Sequence, residues 1–191
     1  MMDGRRLHHN ADIRCDASPS NRAAFAIYDD PMTAAEVKQL LHLQPHPREG
    51  GWYVRTWEAA EFIASTAGSR RTSTAIYYLL EPETFSEMHV LESDEIFHHY
   101  LGGSVEMLQL LADGTAALTV IGKDIAAGEK PQHVVPRGVW QGSRLLSGDW
   151  ALLGCTVSPG FEFEDYRAAG FEELAAHWPL QRERIRALTR S

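Results

Sequence analysis

Cysteine is nearly missing from this sequence, with only Cys15 and Cys155 in 191 residues. One lies in an unpatterned N-terminal stretch and the other inside an apolar run, so they build no disulfide framework and lack metal-type spacing. Long hydrophobic runs are missing too. The densest, Trp150 to Val157, falls far short of the roughly 20 residues that cross a bilayer as a helix and reads as a buried strand. Positive charge is also scarce: 18 Lys and Arg face 26 Asp and Glu, for a net charge of −8 with nine histidines neutral. Such a balance disfavours phosphate backbones and anionic lipid surfaces, so neither nucleic acid nor membrane is the expected partner. Arg5 and Arg6 are followed by no continuous apolar segment, which argues against a secretory signal peptide and makes the cytoplasm the expected compartment.

What the chain does have is a hydrophobic content of 44% with 23% charged residues, enough to close one well-buried core. Residues 1–31 are rich in Arg, Asp, Asn, Ser and His without any period and read as a mobile extension. His8 and His9 within it are too isolated for a metal motif. Residues 32–191 are expected to form a single domain. Thr33 and Glu36 have the spacing of a capping box, and Val37, Leu40 and Leu41 then share a face, predicting a helix over 33–43 that ends before Pro45 and Pro47. From Trp52 the pattern changes to short β-rich runs at 52–57, 73–80, 85–91, 95–101, 104–112, 116–122, 131–136, 139–146 and 150–157. Runs of this length between turns predict an all-β sandwich or barrel. Asp113-Gly114, Gly102-Gly103, Gly128 and Gly148 mark reversals, so the strands pair largely antiparallel. Residues 58–72 are left unplaced by pattern. Phe171, Leu174, Ala175 and Trp178 then space as one helical face before Pro179 and a basic tail.

The segment richest in chemistry runs from His89 to Gly102. In a strand over 95–101, Glu95, Phe97 and His99 share one face, while Ile96, His98 and Tyr100 share the other. His98 is expected to point away from the interior, and His133 to sit on an exposed face. Pro136, Gly138 and Gln141 form a turn that leads a second strand inward.

His89, then Glu95, then Gly102 after six residues resemble the first motif of the cupin superfamily, and Pro136-x-Gly138-x-x-Gln141 resembles the second. Leu91 stands where the second histidine of that pattern would be and Gln141 where the third would be. Further stretches resemble the group called cupin family five: His46-Pro47-x-Glu49-Gly-Gly-Trp52, Ser73 to Tyr77, Ser86-x-x-His89, Asp94 to His98, Val135 to Gln141, and Gly154 to Phe161. Together they extend over residues 33 to 166. Val54 departs from a basic residue expected in that group, with Arg55 beside it. The resemblance implies an antiparallel double-stranded β-helix, the jelly-roll cupin barrel, with a short N-terminal helix and a helical C-terminal tail. It also implies a homodimer that pairs edge strands, and an architecture similar to deoxysugar epimerases.

Only His89 and Glu95 of the usual ligand set are in place, so no cofactor is the first expectation. His89 would act as acid or base on a sugar-like or carbonyl compound, since its ordinary pKa of about 6.5 allows both, with Glu95 behind it as the second catalytic group. Arg55 would hold a carboxylate or phosphate, with Trp52, Tyr53, Phe97, His99, Trp140 and Gln141 as further ligand contacts. One alternative is a cupin oxygenase or hydrolase that holds a divalent transition metal with His89, Glu95, His99 and Gln141. Another is a non-catalytic ligand-binding or storage protein, in which Glu and His form only a satisfied buried pair. The run Glu162 to Asp165 reads as a solvated rim.

Overall fold

The computed structural model describes residues 32–65 and 68–190. The expected extension over 1–31, with Cys15, His8 and His9, lies outside them. In chain order the elements are helix α1 (Ala34–Leu40), strands β1 (Gln44–Pro45), β2 (Trp52–Glu58), β3 (Phe62–Ser65), β4 (Gly68–Arg71), β5 (Thr74–Leu80) and β6 (Phe85–Val90). There follow β7 (Asp94–Gly102), β8 (Val105–Leu110), β9 (Ala116–Ile121), β10 (Gln132–Val135), β11 (Trp140–Leu145), β12 (Ala151–Ser158) and β13 (Arg167–Ala168), then helices α2 (Phe171–His177) and α3 (Arg182–Ala187).

Two antiparallel sheets face each other, in the order β1-β2-β5-β12-β7-β10 and β13-β6-β11-β8-β9. This is the expected jelly-roll barrel with its small N-terminal helix and helical C-terminal tail. Alternation along the strands divides the apolar residues into three sets. Tyr78, Leu80, Phe97, Met107, Val135, Leu153 and others fill the space between the sheets. On the outer face of the five-stranded sheet, Met88, Leu108, Leu110 and Trp140 pack against Leu174, Ile185 and Leu188 of the C-terminal helical segment. Leu79, Leu152 and Trp52 lie on the outer face of the six-stranded sheet against Val37. The capping box is formed as the sequence implied: Thr33 Oγ1 accepts from Glu36 N at 3.3 Å, and Glu36 Oε2 accepts from Thr33 N at 2.8 Å. No helix among the described residues is long and apolar enough to cross a membrane.

Pattern reading missed three pieces. Residues 58–72 contain the β3–β4 pair, whose alternation is hidden because Phe62 and Ile63 are both exposed. The two-residue strands β1 and β13 are too short to carry a period. His133 is the clearest reversal, because it points into the barrel and its Nε2 lies 2.7 Å from Oε1 of Gln109 on the opposite sheet. Burial first, and Lys130 second, lower its pKa. His98 does face outward, against Tyr100.

Leu153 is fully buried between the sheets and Leu118 is 45% exposed on β9. Leu153→Ala is therefore expected to cost about 2–5 kcal/mol, and Leu118→Ala no more than about 0.5 kcal/mol. Urea midpoints measure both, and equal losses would contradict the assignment of inner and outer faces.

Candidate active site

Strand register decides which polar side chains meet. Gln141 on β11 sits opposite His89 on β6, and on the facing sheet Glu95 of β7 and Cys155 of β12 share the inward face. His89 and Gln141 are each only 1% exposed. The amide nitrogen of Gln141 donates to Glu95 Oε2 at 2.7 Å and lies 3.3 Å from His89 Nε2. Nδ1 of His89 lies 2.7 Å from the carbonyl oxygen of Glu87. A carbonyl only accepts, so Nδ1 carries the ring proton and Nε2 presents its lone pair to the Gln141 amide. Tyr166 covers the imidazole, stacked at 5.0 Å.

Above this layer lies a cavity of about 380 Å³ whose walls include Tyr53, Arg55, Ile76, Glu95 and Cys155, together with His46 and Glu49. That volume is in the range of small-ligand sites. Burial pushes the Glu95 carboxyl up to about 7, and the charge of Glu49 pushes the same way, while His89, Gln141 and Cys155 oppose the rise. The Cys155 thiol is driven well up by burial and then by the charges of Glu95 and Glu49, so it stands as a neutral S–H group and a poor nucleophile. Burial likewise raises the Tyr166 phenol, helped by Glu49 and Glu87.

Glu49 lies between the two histidines. Its Oε2 accepts from the Ser86 hydroxyl at 3.1 Å, and its Oε1 stands 3.9 Å from His46 Nε2 and 3.8 Å from His89 Nε2. The segment over 161–163 forms part of the cavity wall. Arg55 donates to the Phe161 carbonyl at 3.1 Å and Arg48 to the Phe163 carbonyl at 3.3 Å. Asp165, expected on a solvated rim, is instead buried and takes both ends of the Arg70 fork at 2.8 Å, which anchors the segment that carries Tyr166.

The structure brings His89, Glu95 and Gln141 together and places Arg55 at the cavity wall. The other candidates go elsewhere. His99 shares the inward face of β7 with Glu95, but four residues of strand separate them by about 13 Å, and its Nε2 lies 2.9 Å from the Gly103 carbonyl oxygen. Phe97 is packed into the core between the sheets. Trp140 alternates with inward Gln141 and so lies outside, under Arg167. Trp52 likewise alternates with Tyr53 and packs outside against Lys38. His46, Glu49 and Tyr166 were not foreseen as site residues. Their one signal in the sequence is the His46-Pro47-x-Glu49 stretch, which carries family resemblance and no chemical motif.

A cupin metal would need lone pairs converging on one point. Here the Gln141 N–H groups take the lone pairs of His89 Nε2 and Glu95 Oε2, and Leu91 supplies no donor. Among the described residues no three His, Cys, Asp or Glu side chains are placed to hold an ion. The donor set does not fit a transition metal.

The family described as Cupin superfamily (DUF985) matches residues 35–169. The uncharacterized protein YML079W of Saccharomyces cerevisiae is 30% identical over 173 residues, covering 81% of this chain and 86% of its own. A hypothetical protein from Leishmania major superposes with a TM-score of 0.79 at 28% identity, covering 84% of this chain and all of that one. Protein SO0799 from Shewanella oneidensis gives 0.77 at 31% identity, covering 83% and 98%.

The raised Glu95 pKa has a consequence for stability. Below its ordinary value of 4.5 the carboxyl is protonated folded or unfolded, whereas between 4.5 and about 7 only the folded state keeps the proton. Stability attributable to this group therefore falls as pH rises through that window, by about 3 kcal/mol in full. Glu95→Gln has no such proton, and the depressed carboxyls of Glu36, Asp113 and Glu129 are common to both proteins. Urea denaturation of both from pH 4.5 to 8 should show the variant gaining on the parent as pH rises; parallel curves would remove the buried, raised carboxyl.

Proposed function

Since the chain belongs to the cupin superfamily, in its DUF985 family, we propose that it binds a small carbonyl-containing, sugar-like molecule and moves a proton on it, as a metal-independent isomerase or epimerase. The observation that carries this reading is Glu95, a carboxyl inside the barrel that borders the cavity and sits at about 7. A general acid–base group works best with its pKa near the operating pH.

The geometry favours reversing the roles first expected of the pair. Glu95 borders the cavity, whereas His89 lies beneath it with Nδ1 committed to Glu87 and Nε2 to Gln141. Glu95 is then the catalytic base, and His89 with Gln141 position it. In the step, the C–H bond beside the carbonyl breaks and its proton goes to Glu95. The electron pair forms the enolate C=C bond, and the carbonyl π pair moves onto oxygen. Return of the proton from Glu95 to the former carbonyl carbon, with the proton of the adjacent hydroxyl passing to the enolate oxygen, completes isomerisation, and delivery of a water proton to the original carbon from the opposite face, with Glu95 giving its proton back to the resulting hydroxide, completes epimerisation. Tyr53 and Phe161 supply apolar wall, and Arg55 suits an anionic substituent.

The homodimer implied by family resemblance belongs to the same reading, supported by half-exposed Val134 on edge strand β10 and by exposed Tyr100 and Leu101 on its neighbour β7. A single-chain mass in sedimentation equilibrium would remove it.

The catalytic reading is tested by incubating the protein with a panel of aldoses, ketoses and 2-oxo acids in deuterated water and following label at the carbon beside the carbonyl by NMR. At least one compound should take up label, with the rate in Glu95→Gln reduced roughly 10²- to 10⁴-fold. Saturable binding of panel members without exchange would leave a ligand-binding protein in its place.

A further inference from the structure

We propose that His46 is a second catalytic residue of this pocket, donating the proton on Nε2 as a hydrogen bond to the substrate carbonyl oxygen while its imidazole stays neutral. The inference rests on the proton-transfer reading above and adds the group that receives the developing oxyanion.

The ring is held in one tautomer by the backbone. Its Nδ1 accepts from the N–H of Glu49 at 2.8 Å and lies 3.4 Å from the N–H of Arg48. With two donors aimed at Nδ1, that nitrogen presents its lone pair, so the single proton of a neutral ring is on Nε2. Tyr53 fixes the ring plane from the side, edge to face at 4.6 Å. The His46 side chain is 3% exposed, yet Nε2 stands 3.9 Å from Glu49 Oε1, beyond hydrogen-bond distance. His46 and Glu95 border the same cavity. A donor with no acceptor at bonding distance, on a residue that borders the space where a ligand would lie, is an arrangement that a substrate oxygen completes.

The protonation state fits the task. Desolvation is the largest influence and lowers the His46 pKa, with His89 and Arg190 adding to it against the opposing charge of Glu49. A neutral imidazole keeps its proton when an enolate forms, and so stabilises the oxyanion by hydrogen bonding. Charge balances in the step: Glu95 gains the carbon-bound proton, the negative charge passes to the substrate oxygen, and His46 neither gains nor loses a proton. The substrate class is narrowed to compounds whose carbonyl oxygen and adjacent C–H reach His46 and Glu95 together, as in a 2-hydroxy aldehyde or ketone.

Two measurements test this on the full chain. Nitrogen-15 NMR of labelled protein should show His46 as the neutral Nε2–H tautomer at pH 7, and the Nδ1–H tautomer or an imidazolium would overturn the proposal. In the deuterium-exchange panel, His46→Phe should lower kcat on the exchanging compound by 100-fold or more with KM changed less than about fivefold. His46→Gln, which restores an N–H donor at similar reach, should recover part of that rate and guards against a folding failure in the first variant. Exchange that depends on Glu95 but is unaltered in both His46 variants overturns this inference and leaves the proposed function standing. Exchange with no member of the panel overturns both.

Discussion

The side-chain nitrogen of Gln141 stands 2.7 Å from a carboxylate oxygen of Glu95 and 3.3 Å from Nε2 of His89. Two groups that would otherwise repel, trap water or collect a cation are joined through one neutral amide, and each of its hydrogens has a direction to go. Because Nδ1 of His89 is committed to a backbone carbonyl, no other protonation pattern of the neutral ring satisfies both contacts. The link also crosses between the sheets, since Gln141 and His89 come from one and Glu95 from the other. The bridge is only partly satisfied, because Gln141 Oε1 is buried without a hydrogen-bond partner. The contacts that are made set the tautomer of His89 and the direction of the Gln141 amide before any ligand arrives.

The cavity wall also includes the segment over 161–163. It is held by Arg48 and Arg55 through main-chain carbonyls, and Arg70 clamps Asp165 just beyond. Carbonyl contacts leave the side chains of Phe161 and Phe163 available as apolar wall. The acidic character of the cavity, set by Glu49, Glu95 and Glu162 with Arg55 as a counterweight, favours a polar, largely neutral ligand with at most one anionic group.

Much of the fold was legible because inward and outward residues alternate cleanly over most strands, and because the capping box and the Asp-Gly turn are local signals. The β3–β4 pair, β1 and β13 were not legible, because two to four residues with mixed exposure carry no period. At the site, His89, Glu95 and Gln141 were legible from the resemblance to the two cupin motifs, with strand alternation placing Glu95 inward. What spacing could not convey was distance along a strand, which separates His99 from Glu95, or the face taken by Trp52 and Trp140, which a one-residue difference decides. His46 and Glu49 lie some 40 residues before the main motif. Only the pairing of β2 with β5 and the turn ahead of it carry them to the cavity, a long-range effect that no local pattern records. Which of His89 and Glu95 meets a ligand was equally hidden, since burial of one behind the other is a property of the packed barrel.

All five tryptophans lie in the described part of the chain, and none of them borders the cavity. Trp52 and Trp150 belong to the shell around α1, Trp140 and Trp178 to the shell around the C-terminal helices, and Trp57 is exposed. The protein's ultraviolet emission thus comes from its outer layers, while the interior chamber is lined by tyrosine and phenylalanine. An optical titration that watches indole light would report a loosening of the helical coat and stay silent as the chamber fills. Occupancy is better followed through the ring resonances of Tyr53, which lies against the chamber.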